Sequence, residues 1–445
     1  MDRDAALPRV DTFPGERARA VAAHQQETAA PSTYAYDFVW DHTAPADGPF
    51  CTDVDGNVLL DMTGHVGAMP LGYNHPALMD RLAAFELVDP LKIAGQDFYV
   101  NAGPDLPAEV PGPADLMERL ADSATQYDMD TVFLSNTGAE AVENAIKVSY
   151  DYTRGKYAIT FEGAFHGRTL GALSLNRSKE VYRRHFPEIP SVHDAPFCTD
   201  RACGGGEGSC ACGFFTAEKS ALEGMLGEAG YVNPEEVAYL IMEPVQGEGG
   251  YRVPSDAFMA EVARVTETHD IPLVVDEVQS GVGRTGRMWA ADHFPIEPDV
   301  IASAKALRVG ATISRAEVFP EERYRLSSTW GAGDILGAAV GALTIDVIRE
   351  EGLMATATDQ GRAFRERLAD ATLPGAVDVR GLGLMIGVEW ASRERRDAVV
   401  EAGLSEGLLT IGCGTRTMRL LPPLDVTDRE IELAVDLLED AAAAA

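Results

Sequence analysis

A mainly parallel α/β sheet covered by helices on both faces, with a smaller α+β unit beside it, is the fold class this sequence predicts. Three observations carry the expectation. Short apolar runs of strand length, such as Thr131–Leu134, Tyr157–Phe161, Val237–Met242, Pro272–Val275 and Val300–Ala304, alternate with helical segments. Apolar strands separated by helices belong to a parallel sheet buried on both faces. The 445 residues are 46% hydrophobic, which is enough for a large core and a small one. After Asp334 the alternation gives way to long helices mixed with short strands.

Taken in order, residues 1–33 are polar and mixed in charge and lack the apolar core of a signal peptide, so a cytoplasmic protein is expected. Residues 34–62 read as β-rich, with Val39–Asp41 and Val58–Asp61 flanking the turn Asp55-Gly56-Asn57 as a hairpin. From about 115 the alternation begins: strand 131–134, a helix from Glu140 to Tyr152, strand 157–161, a Cys-rich segment and a helix over 216–227. Strand 237–242, helix 256–268 and strands 272–275 and 300–304 complete it. The helix Ile335–Glu350 leads out of the large unit. Helix 355–371, strands around Val377–Val379 and Leu384–Trp390, a helix near 396–406, strand-like 408–412 and 417–421 and a last helix 427–443 follow. This divides the chain into an N-terminal segment 1–75 that joins the small domain, a large domain 76–335 and a C-terminal small domain 336–445. No stretch of 18 apolar residues occurs, so no transmembrane helix is expected.

The formal net charge is −33, from 70 acidic and 37 basic residues. That balance opposes nucleic-acid binding, which needs basic surface. The acid is spread along the chain, and only six residues are lysine. Diffuse acid with little lysine fits a halophilic protein, because concentrated salt screens the self-repulsion.

Two apolar runs end in residues with a joint chemical use: Pro272-Leu-Val-Val-Asp276 and Val300-Ile-Ala-Ser-Ala-Lys305. An aspartate and a lysine, each just past a buried strand, can grip opposite ends of pyridoxal 5′-phosphate (PLP). The carboxylate keeps the pyridine nitrogen protonated, and the amine bonds the cofactor and shuttles the proton. Of the six lysines, only Lys305 directly follows a strand-like run. Alone, it also reads as a strand-end lysine reaching into solvent.

Further constellations surround this pair. Strand 131–134 runs into Ser135-Asn-Thr-Gly138-Ala139-Glu140 and then a helix. A small-residue turn at a helix N-terminus suits a phosphate, and equally an ordinary cap by Asn136 or Thr137. In Phe165-His166-Gly167-Arg168-Thr169 the aromatic can stack on a ring and Arg168 can bind a carboxylate; a core Phe and a solvated Arg are the plainer reading. Glu243-Pro-Val-Gln-Gly-Glu248 directly follows a strand, where open α/β sheets place ligands. Gly281-Val-Gly283-Arg-Thr-Gly286 spells the dinucleotide-binding pattern, which would make the protein an NAD-dependent dehydrogenase. That pattern needs glycines opening a helix directly off the strand, whereas Asp276-Glu-Val-Gln-Ser280 intervenes here.

Together Asn136–Lys147, Phe165–Thr169, Glu243–Gly250, Asp276–Gly286 and Lys305 resemble the class III (ω-type) PLP-dependent aminotransferases of fold type I, with the motifs in the family's order over about residues 34 to 425. The resemblance implies a large domain with a mainly parallel, seven-stranded-type sheet flanked by helices, and a smaller α+β domain built from both termini. It implies that Lys305 bonds the cofactor, Asp276 pairs with the pyridinium, and Gly138 and Ala139 cradle the phosphate. Phe165 would stack on the ring with His166 beside it, Val278 would cover the other face, Gln279 would approach the ring hydroxyl and Glu243 would sit nearby. Thr329 would reach the phosphate of the neighbouring subunit, which implies a homodimer or higher homo-oligomer. Arg168 and Arg419 would hold substrate carboxylates, and Glu248 would pair with Arg419 when no second carboxylate is present. The implied reaction moves an amino group from an amino acid or a 4-aminobutyrate- or ornithine-like ω-amine to a 2-oxo acid such as 2-oxoglutarate. The segment after the lysine, Ala306-Leu-Arg308-Val-Gly-Ala, departs from the family in being short and poor in glycine, and Arg308 adds charge there.

Six cysteines are present. Cys51 and Cys413 read as packing residues. Cys198, Cys203, Cys210 and Cys212 crowd one Gly-rich segment, which can hold a structural metal ion, form a disulfide or be a loop with free thiols. The segment also resembles an insert in family members that act as amino-acid racemases, so a PLP-dependent racemase is the alternative activity on the same scaffold.

Overall fold

The computed structural model describes residues 1–445 except 33–37, 85–94, 98–109, 202, 204–209 and 329–331. In chain order the strands are β1 Phe50–Thr52, β2 Val58–Asp61, β3 Thr131–Ser135, β4 Tyr157–Phe161, β5 Val192–Ala195, β6 Val237–Met242 and β7 Leu273–Asp276. They continue with β8 Val300–Ser303, β9 Gly310–Ser314, β10 Ala376–Leu382, β11 Met385–Trp390, β12 Leu408–Leu409, β13 Ile411–Cys413 and β14 Thr417–Leu420.

A seven-stranded sheet in the order β3-β9-β8-β7-β6-β4-β5 forms the centre. All of its strands run one way except β9, which is antiparallel to both β8 and β3. β6, β7 and β8 are buried at every position, as expected of strands covered on both faces. The helices begin where side chains can cap them. Thr137 accepts from the N–H of Glu140 at the start of the helix Gly138–Thr153. Ser255 accepts from Phe258 at the start of Asp256–His269, and Asp334 accepts from Gly337 at the start of Ile335–Glu350.

Around it lie a four-stranded antiparallel sheet, β10-β11-β14-β13, and a three-stranded sheet, β1-β2-β12. The latter joins the two ends of the chain, because β12 pairs in parallel with β2 (Leu408 with Leu60, Leu409 with Asp61). Arg284 is fully buried, and its guanidinium donates to the carbonyls of Leu384 and Pro422, tying the turn after β7 to the C-terminal unit. None of the described helices is long and apolar enough to cross a membrane.

The structure corrects the reading of the sequence in four places. The hairpin partner of β2 is β1, with Phe50 opposite Leu60, not Val39–Asp41. The Asp53 carboxylate accepts from the N–H groups of Asp55 and Asn57, which tightens the turn and brings the residues directly before it into register. Val39–Asp41 run alongside instead, through Asp41 N to Thr52 O and Val54 N to Val39 O. The helix expected over 216–227 starts only at Ala221, where Ser220 caps it. β5, Val-His-Asp-Ala, is an edge strand without an apolar run, so it carried no signal. β9 also escaped the sequence reading and proves central to the site.

Candidate active site

The parallel strands bring their carboxyl ends to one edge of the sheet, where ligands of such sheets bind. Asp276 closes β7 and pairs with Ala302 of β8, and Lys305 lies three residues further on. Glu243 follows β6, Phe165 and His166 follow β4, and the turn Asn136-Thr137-Gly138 follows β3.

Lys305 sits in a tight turn with φ +39°, a left-handed conformation that costs a residue with a Cβ about 1–3 kcal/mol. Burial lowers the pKa of its amine, Arg419 lowers it further, and Asp276, Glu243 and Glu248 oppose them; the outcome is about 8. The cation bearing most strongly on Lys305 is therefore Arg419 rather than Arg308. Arg308 instead acts on His65. The Asp276 carboxylate is buried, accepts from His166 Nδ1 at 2.8 Å, and takes the Val278 N–H at 3.0 Å on its other oxygen. Asn176 holds His166 in place: its Oδ1 accepts from the His166 N–H at 2.6 Å and its Nδ2 donates to Gly167 O at 2.8 Å.

Glu243 is buried and organises two loops, accepting from the N–H groups of Phe165 (2.9 Å) and Gly247 (2.8 Å). Burial pushes its carboxyl up to about 7, with His166 pulling it down and Asp276 pushing it up. Gln279 donates through Nε2 to the Val66 carbonyl at 3.0 Å, which brings the segment after β2 to the site.

At the turn after β3, Gly138 abuts Val278: a Cβ there would come within 2.7 Å of the valine side chain and 3.4 Å of Ala304. β9 supports the same turn from beneath, because a Cβ on Gly310 would stand 2.3 Å from both Ser135 Oγ and the Thr137 carbonyl. Thr312 of β9 also donates to the Ala141 carbonyl at 2.9 Å. The short segment after Lys305 is thus the link that lets β9 turn back under the helix N-terminus.

Beyond the lysine, Arg419 on β14 is buried and faces Glu248, Nη1 to Oε2 at 3.4 Å. Burial raises the Glu248 carboxyl, but Arg419 and Lys179 hold it below its ordinary value. Lys179 Nζ and Tyr182 OH (3.0 Å) also donate to Glu248. The sequence reading missed both; Lys179 carried no strand or motif signal. Arg168 is exposed, with its guanidinium 5.3 Å from the ring centres of both Phe165 and Tyr182. It therefore joins the Phe165 side of the site and shares Tyr182 with Glu248. Thr329 lies outside the described residues.

Gly281–Gly286 opens no helix. Val282, Gly283 and Gly286 have φ of +60°, +88° and +94°, and the run is a buried turn. The dinucleotide reading fails for that reason.

The donor set fits PLP. A buried amine of lowered pKa and a buried carboxylate share the strand edge, and they lie beside a helix N-terminus whose Gly138 and Ala139 N–H groups find no acceptor among the described residues.

Residues 39–442 match the family described as aminotransferase class-III. The chain is 34% identical over 402 residues to an acetylornithine aminotransferase of Methanopyrus kandleri, covering 89% of this chain and 93% of the relative. It is 31% identical to a probable 4-aminobutyrate aminotransferase of Bacillus subtilis, covering 88% and 91%. Among solved structures it is similar to a lysine aminotransferase from M. tuberculosis, with a TM-score of 0.81, 28% identity and 97% and 100% coverage. It is also similar to the ornithine aminotransferase of Toxoplasma gondii, with a TM-score of 0.79, 25% identity and 97% and 96% coverage.

Proposed function

The chain belongs to the class-III aminotransferases, and from that premise we propose that it moves the amino group of a 4-aminobutyrate- or ornithine-like ω-amine to a 2-oxo acid such as 2-oxoglutarate. It is a PLP-dependent enzyme. Bound PLP supplies a carbonyl carbon for amines to add to and a ring that accepts electrons from the donor carbon. The residues do the rest. Asp276, oriented by His166 and Val278, offers its charge to a protonated ring nitrogen. Gly138 and Ala139 offer N–H groups to the phosphate, and Phe165 and Val278 confine the ring. Gln279 and Glu243 hold the loops at its edge. Lys305, poised near neutrality, takes the proton from the donor carbon and returns it elsewhere. We further propose a homodimer in which Thr329 completes the partner's phosphate site.

The observation that carries the substrate reading is the Arg419–Glu248 pair, whose charges both bear on Lys305. Such a pair offers a carboxylate site when Glu248 turns away and a neutralised wall when it does not. One pocket can therefore accept a dicarboxylate oxo acid and an ω-amine in turn, while Arg168 is available for the donor's own carboxylate. The test is the two half-reactions with 4-aminobutyrate, ornithine, acetylornithine and glutamate, read by the visible spectrum. Glu248→Ala should lower kcat/KM for the ω-amines relative to glutamate by about tenfold, the equivalent of 1.4 kcal/mol. Equal loss for all donors, or formation of D-amino acid without consumption of oxo acid, as a racemase would give, overturns the reading.

A further inference from the structure

The Cys-rich segment between β5 and β6 gathers its thiols into one place. The Sγ atoms of Cys198, Cys210 and Cys212 all lie within 4.8 Å of one another, and those of Cys210 and Cys212 are 2.9 Å apart. Cys203 stands beside this trio: its thiol donates to Asp200 Oδ2 at 3.5 Å, and burial, with Cys210 and Cys198, pushes its pKa up. Cys198 and Cys210 are buried, and Cys203 and Cys212 are half-buried.

Thiols are weak donors and weaker acceptors, so four of them gain little from one another alone. Here the sulfurs are also served by donors: Phe215 N–H to Cys210 Sγ at 3.1 Å, Phe214 N–H to Cys212 Sγ at 3.5 Å and Ser255 O–H to Cys198 Sγ at 3.7 Å. Donors aimed at sulfur favour the thiolate and orient it, as the outer contacts of thiolate metal centres do. The Arg252 guanidinium, which donates to the Phe197 carbonyl at 2.7 Å, lies within the field of Cys198 and Cys212. It sits where a cation would offset the excess negative charge of four thiolates around a divalent ion.

We propose that Cys198, Cys203, Cys210 and Cys212 bind one Zn²⁺ in a closed tetrahedral site with a structural role. Zn–S bonds of about 2.3 Å place sulfurs about 3.8 Å apart at the corners of a tetrahedron. The three measured sulfurs need shifts of about an ångström or less to reach that arrangement. A disulfide fits less well: the 2.9 Å between Cys210 and Cys212 exceeds the bond length of about 2.0 Å. It would also join residues only two apart and leave Cys198 and Cys203 unused. The ion would clip the segment onto Phe197 and Arg252. Arg252 in turn reaches Gln246, within the loop that carries Glu243 and Glu248, through Nη1 to Oε1 at 3.2 Å. The site thus lies outside the catalytic edge and braces it.

The test is elemental analysis of the full chain as the PLP-loaded enzyme, purified without a metal-affinity tag. One zinc per chain is expected, released by a mercurial thiol reagent. Cys203→Ser, and the double variant Cys210→Ser with Cys212→Ser, should lose the zinc and melt lower by about 5 °C or more while keeping one PLP per chain. Cys51→Ser, in a separate buried cluster, should keep its zinc. Should the variants fail to fold, wild-type protein stripped of metal and titrated with Zn²⁺ alone must take up one equivalent. Metal-free protein with six reactive thiols, a disulfide within 198–212, stoichiometric iron, or no uptake in the titration overturns the proposal.

Discussion

At the residue scale, the site turns on groups held away from their ordinary ionisation. Lys305 ordinarily titrates near 10.4, and burial with Arg419 brings it to about 8. The neutral amine is the form that adds to a carbonyl. Loading of apoprotein with PLP should therefore accelerate about tenfold per pH unit up to pH 8 and level off above it. Stopped-flow absorbance checks this, and a rate still climbing at pH 10 contradicts it. Lys305→Ala should lose turnover by at least about 10²–10⁴-fold, yet melt no lower than wild-type apoprotein, because it removes a buried amine. Glu243 runs the other way. Its folded carboxyl titrates near 7, above its unfolded value, so between about pH 4.5 and 7 the folded state binds more protons and stability falls as pH rises. Urea titrations of apoprotein should show Glu243→Gln gaining on wild type by about 1–3 kcal/mol at pH 8 and losing that advantage at pH 4.5.

At the element scale, the turn-and-return from β8 through Lys305 to β9 decides the geometry. β9 runs against its neighbours and presses Gly310 against Ser135 and Thr137. Gly310→Ala must move backbone at the phosphate turn. PLP affinity should fall about tenfold or more and the melting temperature should drop, an overpacking cost of about 1–3 kcal/mol; equilibrium dialysis and calorimetry read both. This element also marks where sequence reading stopped. β6, β7 and β8 were legible because strands buried on both faces are continuous apolar runs. β9, Gly-Ala-Thr-Ile-Ser, has small and hydroxylated residues because it packs beneath a helix terminus, so no hydrophobic pattern announces it. Lys179 was illegible for a related reason: its partner Glu248 is 69 positions away, and nothing local to either residue encodes the pair.

At the scale of the whole molecule, the chain carries a net charge of −33, and repulsion among surface carboxylates opposes compaction. Salt shortens the reach of those charges from about 10 Å at 0.1 M to about 3 Å at 1 M. The melting temperature should thus climb steadily with KCl between 0.1 and 2 M, and a flat or falling curve removes the halophilic reading. Composition, the α/β fold class, the buried strands β6, β7 and β8, and the expectation that Asp276 and Lys305 serve as a PLP pair came from the sequence by itself, because burial and covalent chemistry restrict residue type locally. Tertiary structure alone decided that burial and Arg419, from the last strand, lower the pKa of Lys305, that Lys179 and Tyr182 join Glu248, and that Cys198, Cys210 and Cys212 meet. Those outcomes depend on distances between segments remote in the chain. Electrostatics and metal coordination respond to separation in space, which only the folded arrangement of sheets supplies.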